Sequence, residues 1–110
     1  MPNRYKVIIN FKAKRQLEDI VRYMKNEYYS SWSIESFLKS IEKTNEQLMK
    51  SPKLYALVID EPWHSMGVRR ILIRGYFIYY IVDDEECIVR IYGIVHSRMN
   101  QDRQLTKLDI

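Results

Sequence analysis

The chain has 110 residues, of which 46% are hydrophobic and 29% charged, and these proportions indicate a single folded domain over residues 1–110. Eighteen lysines and arginines against 14 acidic residues leave a net charge of +4, which favours an anionic partner such as nucleic acid or an acidic protein. The one cysteine, Cys87, excludes an intrachain disulfide framework. No apolar run is long enough to cross a bilayer and Met1–Arg4 is not typical of a signal peptide, so we expect a cytoplasmic protein with no membrane partner.

The first half of the chain has the pattern of one strand followed by two helices. Alternating apolar residues predict the strand over Arg4–Phe11, and helical spacing of apolar residues predicts the first helix from Lys12 onward. The apolar stripe of this helix consists of Ala13, Leu17, Ile20, Val21, Met24 and Tyr28. Ser33 is the predicted N-cap of the second helix, which ends at Ser51-Pro52 because proline disfavours helical backbone at the residue before it.

The second half is predicted to contain three strands after an irregular stretch over residues 53–66. Runs rich in isoleucine, valine and tyrosine form the strands Val68–Ile73, Tyr76–Val82 and Cys87–Val95. Arg74-Gly75 is predicted to form a tight turn, and the acidic run Asp83–Glu86 a loop. The resulting order predicts an α+β fold (β-α-α-β-β-β), in which a helical hairpin packs on one face of a largely antiparallel four-stranded sheet.

The lengths of the two turns predict which residues lie opposite each other. A two-residue turn at Arg74-Gly75 places Arg70 opposite Tyr79, and a four-residue loop places Val82 opposite Cys87 and Tyr79 opposite Arg90. Because side chains alternate between the two faces along each strand, one face is predicted to lie under the helices. That face carries Ile71, Ile73, Ile78, Tyr80, Val89, Ile91 and Val95.

The opposite face is predicted to be exposed, cationic and aromatic. It carries Arg70, Leu72, Phe77, Tyr79, Ile81, Arg90, Tyr92 and Ile94, and the alternation extends it to His96 and Arg98. Arginines bind phosphates and aromatic rings stack on bases, so such a surface suits nucleic acid. The pattern fits an ordinary solvent-facing sheet, or a groove filled by a partner's helix, equally well. A slip of one residue in register would exchange the two faces.

The succession of motifs resembles the RelE/ParE superfamily of toxins, also known as plasmid stabilization proteins, from type II toxin–antitoxin systems. Gly67–Glu85 is similar to the central strand pair of that family, in which a Gly-x-Arg strand leads to a Tyr-x-Tyr-x-Val-Asp strand and an acidic turn. Ile91–Asn100 resembles the last strand and tail, and Tyr5–Ile20 resembles the opening strand and helix. The resemblance implies a toxin neutralised by a cognate antitoxin protein, and the basic excess fits an acidic partner.

The resemblance leaves two molecular targets open. RelE-like members cut mRNA in the ribosomal A site, whereas ParE-like members inhibit DNA gyrase and have no known nuclease chemistry. Phe77 stands where RelE-like nucleases commonly carry an arginine, and no tyrosine follows His96 in the tail. The tail pattern His96-x-x-Met99-Asn100, with Leu105 further on, is more similar to ParE tails. The resemblance therefore favours the ParE-like branch.

An mRNA endonuclease is the alternative, and an inactive relative that only binds an antitoxin is a further one. Attack by the RNA 2′-hydroxyl needs a base, an acid for the leaving oxygen and cations around the phosphate. His96 is then the candidate acid or base, since histidine titrates near neutral pH, and the candidate phosphate ligands are Arg70, Arg90 and Arg98. In either case the candidate binding residues are Arg70, Arg74, Tyr79, Arg90 and Tyr92.

No cofactor or metal is expected. The chain has no glycine-rich phosphate loop that would indicate nucleotide-dependent chemistry. Its two histidines, His64 and His96, lack the spaced cysteine partners of a structural zinc site.

Overall fold

The computed structural model of the protein describes residues 4–110, so the prediction made on Met1–Arg4 falls mostly outside the described residues. Along the chain lie β1 (Lys6–Ile9), α1 (Phe11–Asn26), α2 (Ser31–Lys50), β2 (Arg69–Ile73), β3 (Tyr76–Asp83), β4 (Ile88–His96) and α3 (Gln101–Thr106). The strands pair in the order β1-β4-β3-β2, with β1 parallel to β4 and the other neighbours antiparallel. The predicted α+β fold is therefore confirmed. None of the helices within residues 4–110 is long and apolar enough to cross a membrane.

Polar caps decide where the two long helices begin. Asn10 Oδ1 accepts a hydrogen bond from the Ala13 N–H at 2.9 Å, so α1 begins at Phe11 and β1 is shorter than predicted. Phe11 is consequently 74% exposed on the helix, and its predicted place in the first strand was wrong. The predicted N-cap of α2 was also wrong, because Ser30 Oγ accepts from the Ser33 N–H at 3.0 Å and the helix starts two residues earlier than Ser33.

The larger core lies between the two long helices and the sheet. Phe37 and Leu48 of α2 are buried in one cluster with Ala13 and Met24 of α1. The sheet contributes Ile71, Ile78, Tyr80, Val89, Ile91 and Ile94 to the same cluster. Tyr28 does not continue the α1 stripe as predicted, because it lies in the turn after α1 with a φ of +59°. Burial of apolar surface on this face is the main force that holds the helices to the sheet.

The hairpin between β2 and β3 has the predicted register. Ile73 lies opposite Tyr76 and Arg70 opposite Tyr79, as a two-residue turn requires. Arg74 and Gly75 both have positive φ, +48° and +85°, which is the conformation of a type I′ turn. The backbone twist of this turn matches the twist of the two strands, so the turn fixes the register of the hairpin.

The predicted register between β3 and β4 was wrong by two residues. Val82 lies opposite Val89 rather than Cys87, because β3 continues to Asp83 and β4 begins only at Ile88. Asp83 Oδ1 accepts a hydrogen bond from the Glu86 N–H at 3.1 Å. The last residue of β3 therefore closes the loop with its own side chain. Ile81, and not Tyr79, therefore lies opposite Arg90.

A β-bulge in β4 adds a second change of register. Tyr79 pairs with Gly93 and Tyr80 with Ile91, so Tyr92 is an extra residue without a partner of its own. One extra residue reverses the facing of every later side chain in the strand. The predicted faces were right before the bulge and wrong after it.

The face of the sheet turned away from the helices is covered and not exposed, contrary to the prediction. The cluster buried there comprises Val58, Val68, Tyr79, Val95, Leu105 and Leu108. It is formed by the irregular stretch before β2 and by α3, a helix that was not predicted. The tail packs closely on the bulge, since a Cβ on Gly93 would lie 2.5 Å from Leu108 Cδ2. We call this the tail face, and the other the helix face.

Candidate functional site

A groove of about 970 Å³ lies between α1 and the end of the sheet where the β2–β3 turn meets the end of β4. One wall is formed by Gln16, Asp19, Ile20 and Tyr23 of α1 and by Tyr29 of the connection between α1 and α2. Its other wall includes Tyr76, Ile94, His96, Arg98 and Met99. We call it the aromatic groove. A concave surface with aromatic walls and a few polar groups is typical of a binding site.

The aromatic groove contains two pairs of neighbouring rings, one of a tyrosine with a histidine and one of two tyrosines. The centroid of Tyr76 lies 5.1 Å from that of His96, and Tyr23 lies 6.4 Å from Tyr29, both in edge-on geometry. Burial raises the pKa of Tyr76, and the nearby Tyr29 and Tyr23 raise it further. The Tyr76 hydroxyl therefore keeps its proton at neutral pH and can donate a hydrogen bond.

His96 reaches this groove because of the β-bulge. It lies opposite Tyr76 on the helix face, whereas the alternation without a bulge predicted it at one end of the opposite face, which carries Arg70. Its Nδ1 accepts a hydrogen bond from the Arg98 N–H at 3.1 Å. In the neutral ring the proton is then on Nε2, which can donate to a ligand in the groove.

The turn after β4 presents a cation and a thioether beside His96. The Met99 N–H donates to the His96 carbonyl at 3.1 Å, which closes this turn. Arg98 and Met99 both line the aromatic groove and are exposed. The one carboxylate of the groove wall, Asp19, is paired with Arg22 at 2.8 Å. The groove thus offers aromatic surface, one imidazole and one cation to a partner.

A second set of the predicted residues lies on the tail face. Arg70 stacks on the ring of Phe77, with its guanidinium carbon 4.3 Å from the centroid. Tyr79 is 0% exposed, and its hydroxyl donates to Gln101 Oε1 at 2.6 Å. Burial raises the pKa of Tyr79, and the neighbouring Arg70 opposes this rise. Gln101 also donates to the His96 carbonyl at 3.0 Å, so α3 joins this cluster to the end of β4.

The other predicted residues lie apart from these two sets. Arg90 is exposed opposite Ile81, so the predicted row of Arg70, Tyr79 and Arg90 is not formed. Tyr92 is half-buried against the tail-face cluster. Arg74 lies in the β2–β3 turn, where its Nε donates to Ser40 Oγ of α2 at 2.8 Å.

The structure therefore brings together His96 with Arg98 and Arg70 with Tyr79, and the sheet separates the two pairs. Sequence reasoning missed Tyr23, Tyr29 and Gln101. The two tyrosines lie outside the apolar stripe of α1, and this position could have indicated that they belong to a surface site and not to the core. Asn100 as an N-cap with Leu105 and Leu108 at helical spacing would have indicated α3.

Metal binding has no support from the described geometry. Between residues 4 and 110, no group of three or more histidine, cysteine, aspartate or glutamate side chains is placed to hold a metal ion.

The sequence matches the family model described as the ParE toxin of the type II toxin–antitoxin system parDE over residues 7–101. No curated protein matches it significantly. Similar solved structures include the RelBE2 toxin–antitoxin complex of Mycobacterium tuberculosis, with a TM-score of 0.60, 19% identity and coverage of 84% of this chain and 98% of that one. The chromosomal ParDE system of P. aeruginosa gives a TM-score of 0.65 at 16% identity, covering 84% of this chain and 96% of that one.

The isolated RelE toxin of E. coli is also similar, with a TM-score of 0.57, 17% identity and coverage of 93% of this chain and 94% of that chain. At these identities the three structures establish the common fold, which ParE-type and RelE-type proteins share. The family model spans most of the chain, from the second residue of β1 to the first residue of α3. The protein therefore belongs to the ParE toxin family of type II toxin–antitoxin systems.

Proposed function

We propose that this toxin arrests growth by binding and inhibiting DNA gyrase, and that a cognate antitoxin neutralises it in the cytoplasm. The match to the ParE family model supports the toxin class. The observation that carries the choice of gyrase over mRNA cleavage is the separation of His96 from Arg70 by the sheet.

Cleavage of RNA needs an acid or base and phosphate-binding cations around the same phosphate. His96 lies in the aromatic groove on the helix face, whereas Arg70 packs on Phe77 on the tail face. The hydroxyl of Tyr79 is buried and already bound to Gln101. The residues proposed for catalysis therefore do not all surround one phosphate position. A protein that acts only by binding does not need its residues to meet at one position.

The aromatic groove is the proposed contact surface for gyrase. Tyrosine, methionine and arginine are enriched at protein interfaces. This groove has Tyr23, Tyr29, Met99 and Arg98 at its surface. Its volume of about 970 Å³ is large enough for several side chains of a partner.

An antitoxin partner is supported by the similar structures and by charge. The M. tuberculosis and P. aeruginosa structures are of toxin–antitoxin systems, and the net charge of +4 favours an acidic neutralising protein. Co-expression of the toxin with a small acidic protein encoded by an adjacent reading frame is expected to restore growth.

The direct test is a supercoiling assay with purified gyrase, ATP and relaxed plasmid. The wild-type toxin is expected to block supercoiling, and Tyr23→Ala to raise the half-inhibitory concentration about tenfold, as for loss of an interface anchor. Tyr28→Ala is the matched control, because Tyr28 is 94% exposed and does not line the groove. Undiminished supercoiling at concentrations of toxin that arrest growth would contradict the proposal.

A ribosome-dependent mRNA endonuclease is the second candidate, and the proximity of His96 and Arg98 in the groove favours it. Primer extension on an abundant transcript after induction tests it. Codon-phased cuts that disappear in His96→Ala would establish the nuclease and overturn gyrase as the target. Absence of growth arrest would leave an inactive relative that only binds an antitoxin.

A further inference from the structure

A second, smaller cleft of about 320 Å³ lies between α2 and the β2–β3 turn, away from the aromatic groove. Its lining includes Trp32, Ser36, Lys39, Ser40, Lys43 and Arg74. We call it the α2 cleft. None of the proposed gyrase contacts lies in it.

Arg74 is held over α2 by specific contacts. Its Nε donates to Ser40 Oγ at 2.8 Å, and Ser40 Oγ in turn donates to the Ser36 carbonyl at 3.0 Å. This contact uses one of the guanidinium nitrogens and leaves the two Nη groups available to a ligand. Arg74 also has a φ of +48°, at a turn position where asparagine or glycine is preferred.

The α2 cleft has an excess of positive charge. Lys39 and Lys43 are one helical turn apart, an arrangement of like charges that weakens a helix. Neither lysine, nor Arg74, is in an ion pair with any residue of the described chain from 4 to 110. Glu35 is the single carboxylate in the lining, against three cations. A bound anion would relieve this repulsion.

An exposed aromatic ring borders these cations. Trp32 is 74% exposed, although a tryptophan side chain gains more than most from burial. It lies about two turns of α2 from Lys39 and about three turns from Lys43, and it lines the same cleft. A phosphate-binding cluster next to an exposed ring matches the two parts of a nucleotide, its phosphate and its base.

We propose that the α2 cleft binds single-stranded nucleic acid, with the three cations around a phosphate and Trp32 stacked on a base. An acidic protein segment fits less well, because the cleft is small and its lining is mostly polar, whereas a helix of a partner needs an apolar groove. This activity goes beyond gyrase inhibition and requires neither gyrase nor antitoxin.

The test is fluorescence anisotropy of a short labelled oligothymidylate with the full-length protein over a range of salt concentrations. Lys43→Gln is expected to lower the slope of log K against log salt by about 0.7, the value for one phosphate contact on a single strand. Trp32→Ala is expected to weaken binding about tenfold with the slope unchanged, since it removes stacking and no charge. Arg74→Asn should also weaken binding while it suits the positive φ of the turn.

Lys6→Gln is the matched control, because it removes the same charge from β1, at the opposite edge of the sheet from β2. It is expected to leave both affinity and slope as in the wild type. The proposal is overturned if Lys6→Gln has the same effect as Lys43→Gln, or if Trp32→Ala binds as the wild type does. It is also overturned if an oligoglutamate peptide displaces the probe as well as unlabelled oligothymidylate does. The assay contains no gyrase, so its result is independent of the supercoiling experiment.

Discussion

The two faces of the sheet are covered in different ways. On the helix face, α1 and α2, of 16 and 20 residues, bury a continuous cluster with the sheet. On the tail face, the cover is a six-residue helix and an irregular stretch. A helix of six residues is not stable by itself, so α3 depends on the side chains that it buries. We therefore expect the helix face to be rigid and the cover of the tail face to open locally.

This difference bears on function because each face holds one of the two residue pairs. His96 and Arg98 line a groove whose wall is α1, whereas Arg70 and Tyr79 lie beside the tail. We therefore expect the α1 wall of the aromatic groove to be preorganised, which favours binding. The following changes test how far the two faces differ.

The largest effect is expected from Phe37→Ala on the helix face. Phe37 is almost completely buried between α2 and the sheet, and its ring lies 5.6 Å from that of Tyr76. Loss of such a side chain should lower the free energy of unfolding by about 3–5 kcal/mol. Urea denaturation measures it. If Phe37→Ala lowers the free energy of unfolding by no more than Leu105→Ala does, the two faces contribute equally to stability.

Leu105→Ala should act mainly on the tail face. Leu105 is buried against Tyr79 and Val95, and its truncation should cost about 2 kcal/mol. Because α3 depends on this contact, hydrogen exchange should increase over residues 101–108 and remain slow in α1 and α2. Leu54→Ala, at an exposed leucine, is the control and should leave exchange unchanged. Equal acceleration in all helices would mean that the tail does not open separately.

Two buried tyrosines, one on each face, allow a finer comparison. The Tyr80 hydroxyl donates to the Pro52 carbonyl at 2.7 Å, and the Tyr79 hydroxyl to the Gln101 side chain at 2.6 Å. Tyr80→Phe leaves a buried backbone carbonyl without a partner and should cost about 1–2 kcal/mol. Tyr79→Phe should cost less, since the half-buried Gln101 amide can turn to water. Thermal unfolding of the two variants measures the difference, and the reverse order would refute the explanation.

The smallest effect concerns Asp84 of the β3–β4 loop, which connects the irregular stretch before β2 to the residue before β1. Its carboxylate accepts from Lys53 at 2.5 Å and from the Tyr5 hydroxyl at 2.7 Å, and these hydrogen bonds hold its pKa below the usual value. A carboxyl whose pKa is lowered by folding stabilises the protein above its unfolded pKa, about 3.9, and this contribution is lost as the pH falls through the folded pKa. Asp84→Asn should therefore make stability less dependent on pH below about pH 4.

Glu85→Gln is the control for Asp84→Asn, because it changes the same charge in the same turn. Denaturant titrations over the acid range compare the two variants with the wild type. If both variants flatten the pH profile equally, the effect comes from the charge of the loop and not from the contacts of Asp84.

Local features of the sequence were sufficient for much of the fold. The apolar periodicity of α1 and α2 and the proline after Ser51 depend on nearby residues only, and both helices were found. The β2–β3 register followed from a two-residue turn, since such a turn leaves one pairing. The family was also identified, because its motifs follow one another along the chain. His96, Arg98 and Arg74, which the sequence analysis named as candidate site residues, line two different cavities, and their functional roles stay predictions.

Only the tertiary structure decided which face each residue of the later β4 takes. Tyr92 is the extra residue of the bulge, and Gly93 beside it lets Leu108 of the tail approach closely. Strand alternation predicts neither feature. The bulge moves His96 to the helix face, and α3 covers the face that alternation left open. Side-chain alternation is a local rule, whereas bulges, covers and the meeting of Arg74 with Ser40 depend on which distant segments pack together.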